Sequence, residues 1–236
     1  MFLRSVELLK DKIQSTERYP FHIPAIRTLD RLAFSRNVTF FVGENGSGKS
    51  TLLEAIAYQC GFNPAGGGRN NVYEVESADA ALGDYLRLSW LPKMTNGFFL
   101  RAESFYQFAT HIDQVDAQQF YGGRSLHEQS HGESFLSLFL NRFNRKGIFL
   151  LDEPEAALSP TRQLSFLRVL KDLEGAAQFI IATHSPIILG YPNAQILQFD
   201  HGGIREVNYE QTEHYQITRR FLENRNVILS ELFEDE

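Results

Sequence analysis

Cysteine is almost absent. Cys60 is the only one in 236 residues, which excludes an internal disulfide and fits a reducing, cytoplasmic setting. Its position closing an apolar helix marks it as a packed, inert thiol. Long hydrophobic runs are also missing. No apolar stretch approaches the ~18 residues that a membrane span needs, and Met1 to Glu7 lack the basic start and apolar core of a signal peptide. Excess positive charge is lacking too, since the formal net charge is −6. The whole surface is therefore not a general polyanion binder, although a local basic stripe can coexist with an acidic total. Repeats, heptads and low-complexity arms are absent, and Glu231 to Glu236 reads as a solvated acidic tail.

Against these absences stands one dense motif. Residues 43 to 51 read Gly-Glu-Asn-Gly-Ser-Gly-Lys-Ser-Thr, the G-x-x-x-x-G-K-[ST] phosphate-binding loop. The β-branched and aromatic run Asn37 to Val42 before it predicts a buried strand, and Thr51 to Tyr58 after it predicts a helix. Strand, glycine loop and helix start occur in the order that phosphate binding requires. Gly43, Gly46 and Gly48 allow the backbone amides around Asn45 and Ser47 to turn inward toward an anion, and the helix start adds its field. Lys49 supplies a compact cation for the β- and γ-phosphates. The Ser50 hydroxyl is a Mg²⁺ ligand, and Thr51 donates to the α-phosphate. The alternative is a glycine-rich turn with an incidental lysine. A second glycine cluster, residues 61 to 71, follows a helix rather than a strand and reads as a loop.

Two further strands end in polar residues. Lys146 to Leu151 leads into Asp152-Glu153-Pro154-Glu155. Asp152 at such a strand end suits Mg²⁺ through the shell of Ser50, and Glu153 suits polarisation of a water. Adjacent residues of an extended strand face opposite ways, so the chain must turn here, and Pro154 agrees with that. Surface carboxylates at a strand end are the bland alternative. Ile180 to Thr183 leads into His184, placed to touch the γ-phosphate or to orient the water with Glu153. A merely structural histidine is the competing reading.

Strand patterns at 97–103, 147–151, 178–182 and 195–199 alternate with helical ones. Together they predict an α/β fold of the P-loop NTPase kind: a mostly parallel central sheet, flanking helices, and an N-terminal β region over the first 42 residues. Ser159-Pro160 predicts a helix start and Gly175 its stop. Phe135, Phe139 and Phe143 recur every four positions beside Leu136 and Leu140. They predict a helical lobe at about 104–146 set on one domain spanning 1–236.

With the three elements in order, the chain resembles the ABC-type ATPase superfamily, and most closely its soluble branch that includes RecF and the chromosome-maintenance SMC proteins. The resemblance covers about residues 35 to 200. Gln129-Ser-His-Gly-Glu-Ser-Phe135 is similar to the family's Ser-Gly-Gly-Gln-type signature, with Ser130, Gly132 and Glu133 in matching places. His131 replaces the first glycine and Glu133 the glutamine. A simple helix cap is the other reading of this stretch. The resemblance implies ATP and Mg²⁺ as ligands, hydrolysis of ATP with Glu153 and His184 in catalytic roles, and an ATP-dependent homodimer. In that dimer one subunit's signature faces the partner's nucleotide. It also implies that Ala156 to Ser159 crosses the interface, that Glu103, with Gln107 slightly later as the other candidate, fills the place of a Mg²⁺-sensing glutamine, and that Tyr19 or Phe21 stacks on adenine, core packing being the competing reading of both aromatics. A DNA-maintenance or switch role is the leading expectation. The nucleotide-binding subunit of a membrane transporter is the alternative. A nucleotide kinase is a third class, unexpected with Asp-Glu-Pro and Ala-Thr-His-Ser in this order.

Overall fold

The computed structural model describes residues 1–63, 66–69, 80–102, 105–114, 119, 123, 125 and 146–233. Strands β1 (Leu3–Leu8), β2 (Arg31–Ala33) and β4 (Leu86–Trp90) form a small antiparallel sheet in the order β2-β1-β4. The main sheet has six strands in the order β5-β6-β7-β3-β8-β9. These are β3 (Val38–Gly43), β5 (Gly97–Arg101), β6 (Gly147–Asp152), β7 (Ala177–Ala182), β8 (Gln195–Asp200) and β9 (Gly203–Glu206). All neighbours run parallel except the β8–β9 pair. The expected α/β architecture with a mostly parallel sheet is what the chain adopts.

Parallel strands must be covered on both faces, and the side chains divide accordingly. Phe40, Val42, Phe149, Leu151, Phe179 and Ile181 join one buried cluster with Phe166 and Leu170 of α5 (Pro160–Leu173). Phe41, Ile148, Leu150, Ile180 and Ala182 join a second cluster with Leu52, Leu53 and Ile56 of α2 (Lys49–Cys60). Strict alternation along each strand explains the twofold split. Helix α2 lies in the second cluster beside Leu3, Val6 and Leu8 of the small sheet, so nearly all of it is buried and its pattern is apolar almost all round. Cys60 is in this core, where burial pushes its thiol up to about 12, as an inert thiol requires. Ser159 caps α5, its hydroxyl accepting from the Arg162 amide, with Pro160 following as expected.

Buried amides stitch the two sheets: Gln195 of β8 donates to the Ala33 carbonyl of β2 at 3.2 Å, and Gln178 of β7 makes the closer tie. Gln178 Oε1 accepts from the Phe2 and Leu3 amides at 2.8 Å each, and its Nε2 donates to the Leu3 carbonyl at 2.9 Å. Of the helical region expected at 104–146, α4 (Phe105–Gln114) is described and buries Phe105, Ala109 and Ile112. The phenylalanine repeat at 135–143 lies outside the described residues, as does the end of the acidic tail, 234–236.

Strands β4 and β9 and the long helix α7 (Glu213–Phe233) were not foreseen. Residues 86–90 complete the N-terminal sheet from far along the chain, a pairing that no local pattern reveals. Helix α7 buries none of its residues, so it left no core signature, although Ile217, Phe221 and Leu222 recur at helical spacing. Short helices α1 (Pro24–Arg27), α3 (Ala80–Gly83) and α6 (Pro186–Leu189) fill the connections. Replacing Gln178 with leucine would orphan buried backbone groups at the inter-sheet seam. Urea titration of Gln178→Leu is expected to show a loss of about 1–3 kcal/mol in unfolding free energy.

Candidate nucleotide site

The C-terminal ends of the parallel strands meet on one edge of the sheet, where open α/β folds place their ligands. Arg101, Asp152 and Ala182 stand side by side in register, and Gly43 pairs with Phe199. Beyond Gly43 the chain leaves the sheet in a glycine-dependent curl. Gly46 and Gly48 have φ of +78° and +98°, and a Cβ at Gly43 would stand 2.3 Å from the Phe199 carbonyl oxygen. Only glycine tolerates these positions. Helix α2 then starts at Lys49 with its free amides facing the curl.

Lys49 is 4% exposed, and its Nζ donates to the carbonyls of Gly43 and Glu44 at 2.8 Å each. An ammonium has three N–H donors, so one remains for a phosphate oxygen. Burial lowers the lysine pKa, while Glu153, Asp152 and Glu155 oppose that shift. The Ser47 hydroxyl is buried with no hydrogen-bond partner among the described residues, a donor spare inside the loop. Glu44, Asn45, Gly46 and Ser47 line an open cleft of about 260 Å³ whose far wall is the end of β8 and Glu213.

Ser50 Oγ donates to Asp152 Oδ1 at 2.9 Å. A hydroxyl and a carboxylate oxygen brought to the same point are hard donors of the kind Mg²⁺ takes, with the remainder of its shell left for water and phosphate. These residues fit the metal. Arg101 adds a feature that was not foreseen. Its guanidinium pairs with the buried Glu54 at 2.7 Å, and its Nε lies 3.7 Å from Asp152 Oδ2. Glu54 sits one turn after Ser50 on α2, so serine, glutamate and arginine frame Asp152 together.

Asp152 and Glu153 separate as expected, and the turn is sharp. Glu153 adopts left-handed backbone angles, φ 50° and ψ 52°, and opens a 3-10 turn at Pro154–Ala157. Its carboxylate Oε1 stands 3.7 Å from His184 Nε2. Glu155 ties the two strand ends together. It accepts from the Thr183 hydroxyl at 2.7 Å and from the His184 amide at 2.5 Å, while burial raises its pKa. Gln163 makes a similar tie, accepting from Ser185 Oγ and donating to the Leu158 carbonyl, so the 156–159 loop is linked to the turn after His184. Burial, with Lys49 and His214 nearby, lowers the His184 pKa to about 4. The ring is therefore neutral at pH 7.

Lys49, Ser50, Asp152, Glu153 and His184 thus gather at one strand-end cluster, and Asn45, Gly46, Ser47 and Gly48 form its rim. Thr51 is buried at the start of α2 and its hydroxyl meets that of Tyr19 at 3.1 Å. Tyr19 keeps an exposed ring beside the loop. Phe21 does not: it is buried edge-on against Tyr85, with ring centroids 4.9 Å apart, so it is core and not an adenine platform. Glu103, Ser130, Gly132 and Glu133 lie outside the described residues. Glu155, the Arg101–Glu54 pair and His214 were missed. Glu155 had a signal in the Asp-Glu-Pro-Glu run. His214, 30 positions from His184, had none.

Two family models match in succession. Residues 22–117 match one described as an AAA domain, and residues 119–190 match another AAA domain that carries a provisional AbiEii toxin, Type IV TA system label. No curated protein matches the chain. Solved structures do. The SMC head domain from Thermotoga maritima shares 17% identity at a TM-score of 0.51, over 88% of this chain and 99% of that one. A nucleotide-free ATP-binding cassette from an ABC transporter shares 16% at 0.51, over 97% and 98%. The cbiO1 protein of Clostridium perfringens, part of the ABC transporter complex cbiONQ, shares 17% at 0.50, over 84% and 89%. At these identities the likeness is one of fold. The chain is thus similar to AAA domains over two successive segments and shares its fold with SMC-head and ABC-cassette ATPases, in line with the motif order.

Proposed function

We propose that the chain is a Mg²⁺-dependent ATPase that closes as a homodimer on ATP and reopens on hydrolysis. The observation that carries this reading is the 2.9 Å contact of Ser50 with Asp152, flanked by Lys49 and Glu153. A phosphate cradle, a pair of metal oxygens and a base are then contiguous. Lys49 and the loop amides from Asn45 to Thr51 bind the triphosphate. Ser50 and Asp152 would hold Mg²⁺, with Glu103 joining them by resemblance. When bound, the ion neutralises charge on the β- and γ-phosphates. Glu153 accepts the proton of a water whose oxygen bonds to the γ-phosphorus. The bond to the β–γ bridging oxygen breaks, and ADP and phosphate leave. His184 steadies the γ-phosphate. Ser130, Gly132 and Glu133 of a second copy cover the same nucleotide, so a monomer lacks half of the shell.

Residues 1–236 form one domain with its lobe at about 104–146, and two copies of it carry out this cycle in the cytoplasm. A soluble DNA-maintenance or switch role is favoured by the SMC-head likeness. Among the described residues no helix is long and apolar enough to cross a membrane. The ABC cassette neighbours support a second reading, the nucleotide-binding subunit of a transporter. Stimulation of ATPase activity by DNA separates the two.

Lys49→Ala is expected to reduce ATP binding below detection by calorimetry, and normal affinity would remove the loop from the mechanism. Glu153→Gln should bind ATP, cease turnover and accumulate a dimer in light scattering; a persistent monomer would defeat the ATP-gated closure. Acid sensitivity follows from the half-buried histidine. His184 titrates near 4 when folded against an ordinary value of 6.5, so the unfolded chain binds the proton more readily. Stability should therefore fall as pH drops from about 6.5 toward 4. Thermal melts of His184→Gln over that range should show a flatter decline.

A further inference from the structure

His184 does not stand alone. Its Nδ1 meets Nε2 of His214, in the first turn of α7, at 2.9 Å, and the ring centroids are 5.0 Å apart. The partner ring is held firmly. Thr212 Oγ1 donates to the Tyr209 carbonyl at 2.7 Å and accepts from the Tyr215 amide. Tyr209 donates to the Pro186 carbonyl at 2.8 Å and packs on Tyr215. The start of α7 is thus pinned to the turn that directly follows His184.

Two imidazoles at this distance share one proton, and that fixes the other ends of both rings. Burial first, and then Lys49, lowers the pKa of each ring, so each carries one proton. If His184 Nδ1 donates, its Nε2 is a bare acceptor and His214 Nδ1–H is left as a buried donor. If His214 Nε2 donates, His184 carries its proton on Nε2 and His214 Nδ1 is a bare acceptor. Both outer nitrogens are buried without a hydrogen-bond partner among the described residues. Either way one outer nitrogen is an unpaired N–H and the other an unpaired lone pair, so the choice turns on what each nitrogen faces. His184 Nε2 faces the Glu153 carboxylate at 3.7 Å, and a bare nitrogen lone pair opposite an anion is unfavourable.

We infer that His214 is a positioning residue: by donating to His184 Nδ1 it fixes the tautomer that presents Nε2–H to Glu153 and to the γ-phosphate. The inference deepens the ATPase reading and rests on the role given there to His184. It also joins α7 to the hydrolytic end of the site, since withdrawal of α7 would release the tautomer.

Nitrogen-15 NMR of the full chain with labelled histidine, assigned by His184→Gln, reads the tautomer directly. The expected spectrum shows His184 protonated at Nε2, and protonation at Nδ1 overturns the proposal. His214→Gln places an amide donor where Nε2 stood and is expected to keep both the tautomer and kcat. His214→Glu supplies only an acceptor and should invert the tautomer. His214→Phe should lower kcat by about ten- to a hundredfold, with ATP affinity unchanged. If His214→Phe and His214→Glu turn over normally while His184→Ala is inactive, the positioning role fails and the ATPase reading survives. If His184→Ala itself turns over normally, the role assigned to His184 is what fails.

Discussion

The hydrogen bond from Ser50 to Asp152 spans 102 positions of sequence and 2.9 Å of space, and the rest of the site is arranged around it. It exists because β3 and β6 both end on the same edge of a parallel sheet, with β7 between them. Helix α2 starts from one strand end and the acidic turn from the other. A change in strand order would leave a phosphate loop with no acid opposite it. The two apolar clusters that cover the sheet are thus the means by which Ser50 and Asp152 are brought together.

Charge at this edge is balanced at short range. Three carboxylates, Asp152, Glu153 and Glu155, act on Lys49 and oppose the effect of its burial. Arg101 neutralises Glu54 and approaches Asp152. Buried ions at this edge are costly unless paired, and this network supplies the compensation from within the protein. His184 is treated differently. It sits neutral among these ions, held by Glu155 at its amide and by His214 at its ring. A neutral imidazole can donate toward an anion without adding charge that the buried lysine would oppose.

Much of this was readable from sequence because the motifs are local. Gly43, Gly46 and Gly48 are demanded by backbone geometry, and Asp152 and Glu153 close an unbroken apolar strand. The five parallel strands of the main sheet announced themselves as buried runs. The sequence offers Phe21 equally as a stacking ring or as core, because an aromatic near a phosphate loop looks the same whether it lies open or packs on Tyr85. Strand β4 escaped because its partner is β1, some eighty residues earlier at Glu7 and Arg87. Helix α7 escaped because none of its residues is buried as a whole, so it shows no core face.

The sequence alone determined the phosphate-loop motif, the two acids Asp152 and Glu153 that close an apolar strand, and the order in which they occur. These depend on local backbone demands and on residue chemistry at strand ends, which a linear string records. The tertiary structure alone decided who stands beside them. Arg101 against Asp152, Glu155 across to His184, and His214 behind it are contacts made by sheet register and by the docking of α7. No periodicity within a segment encodes distances between segments, so these partners became visible only once the strands were laid side by side.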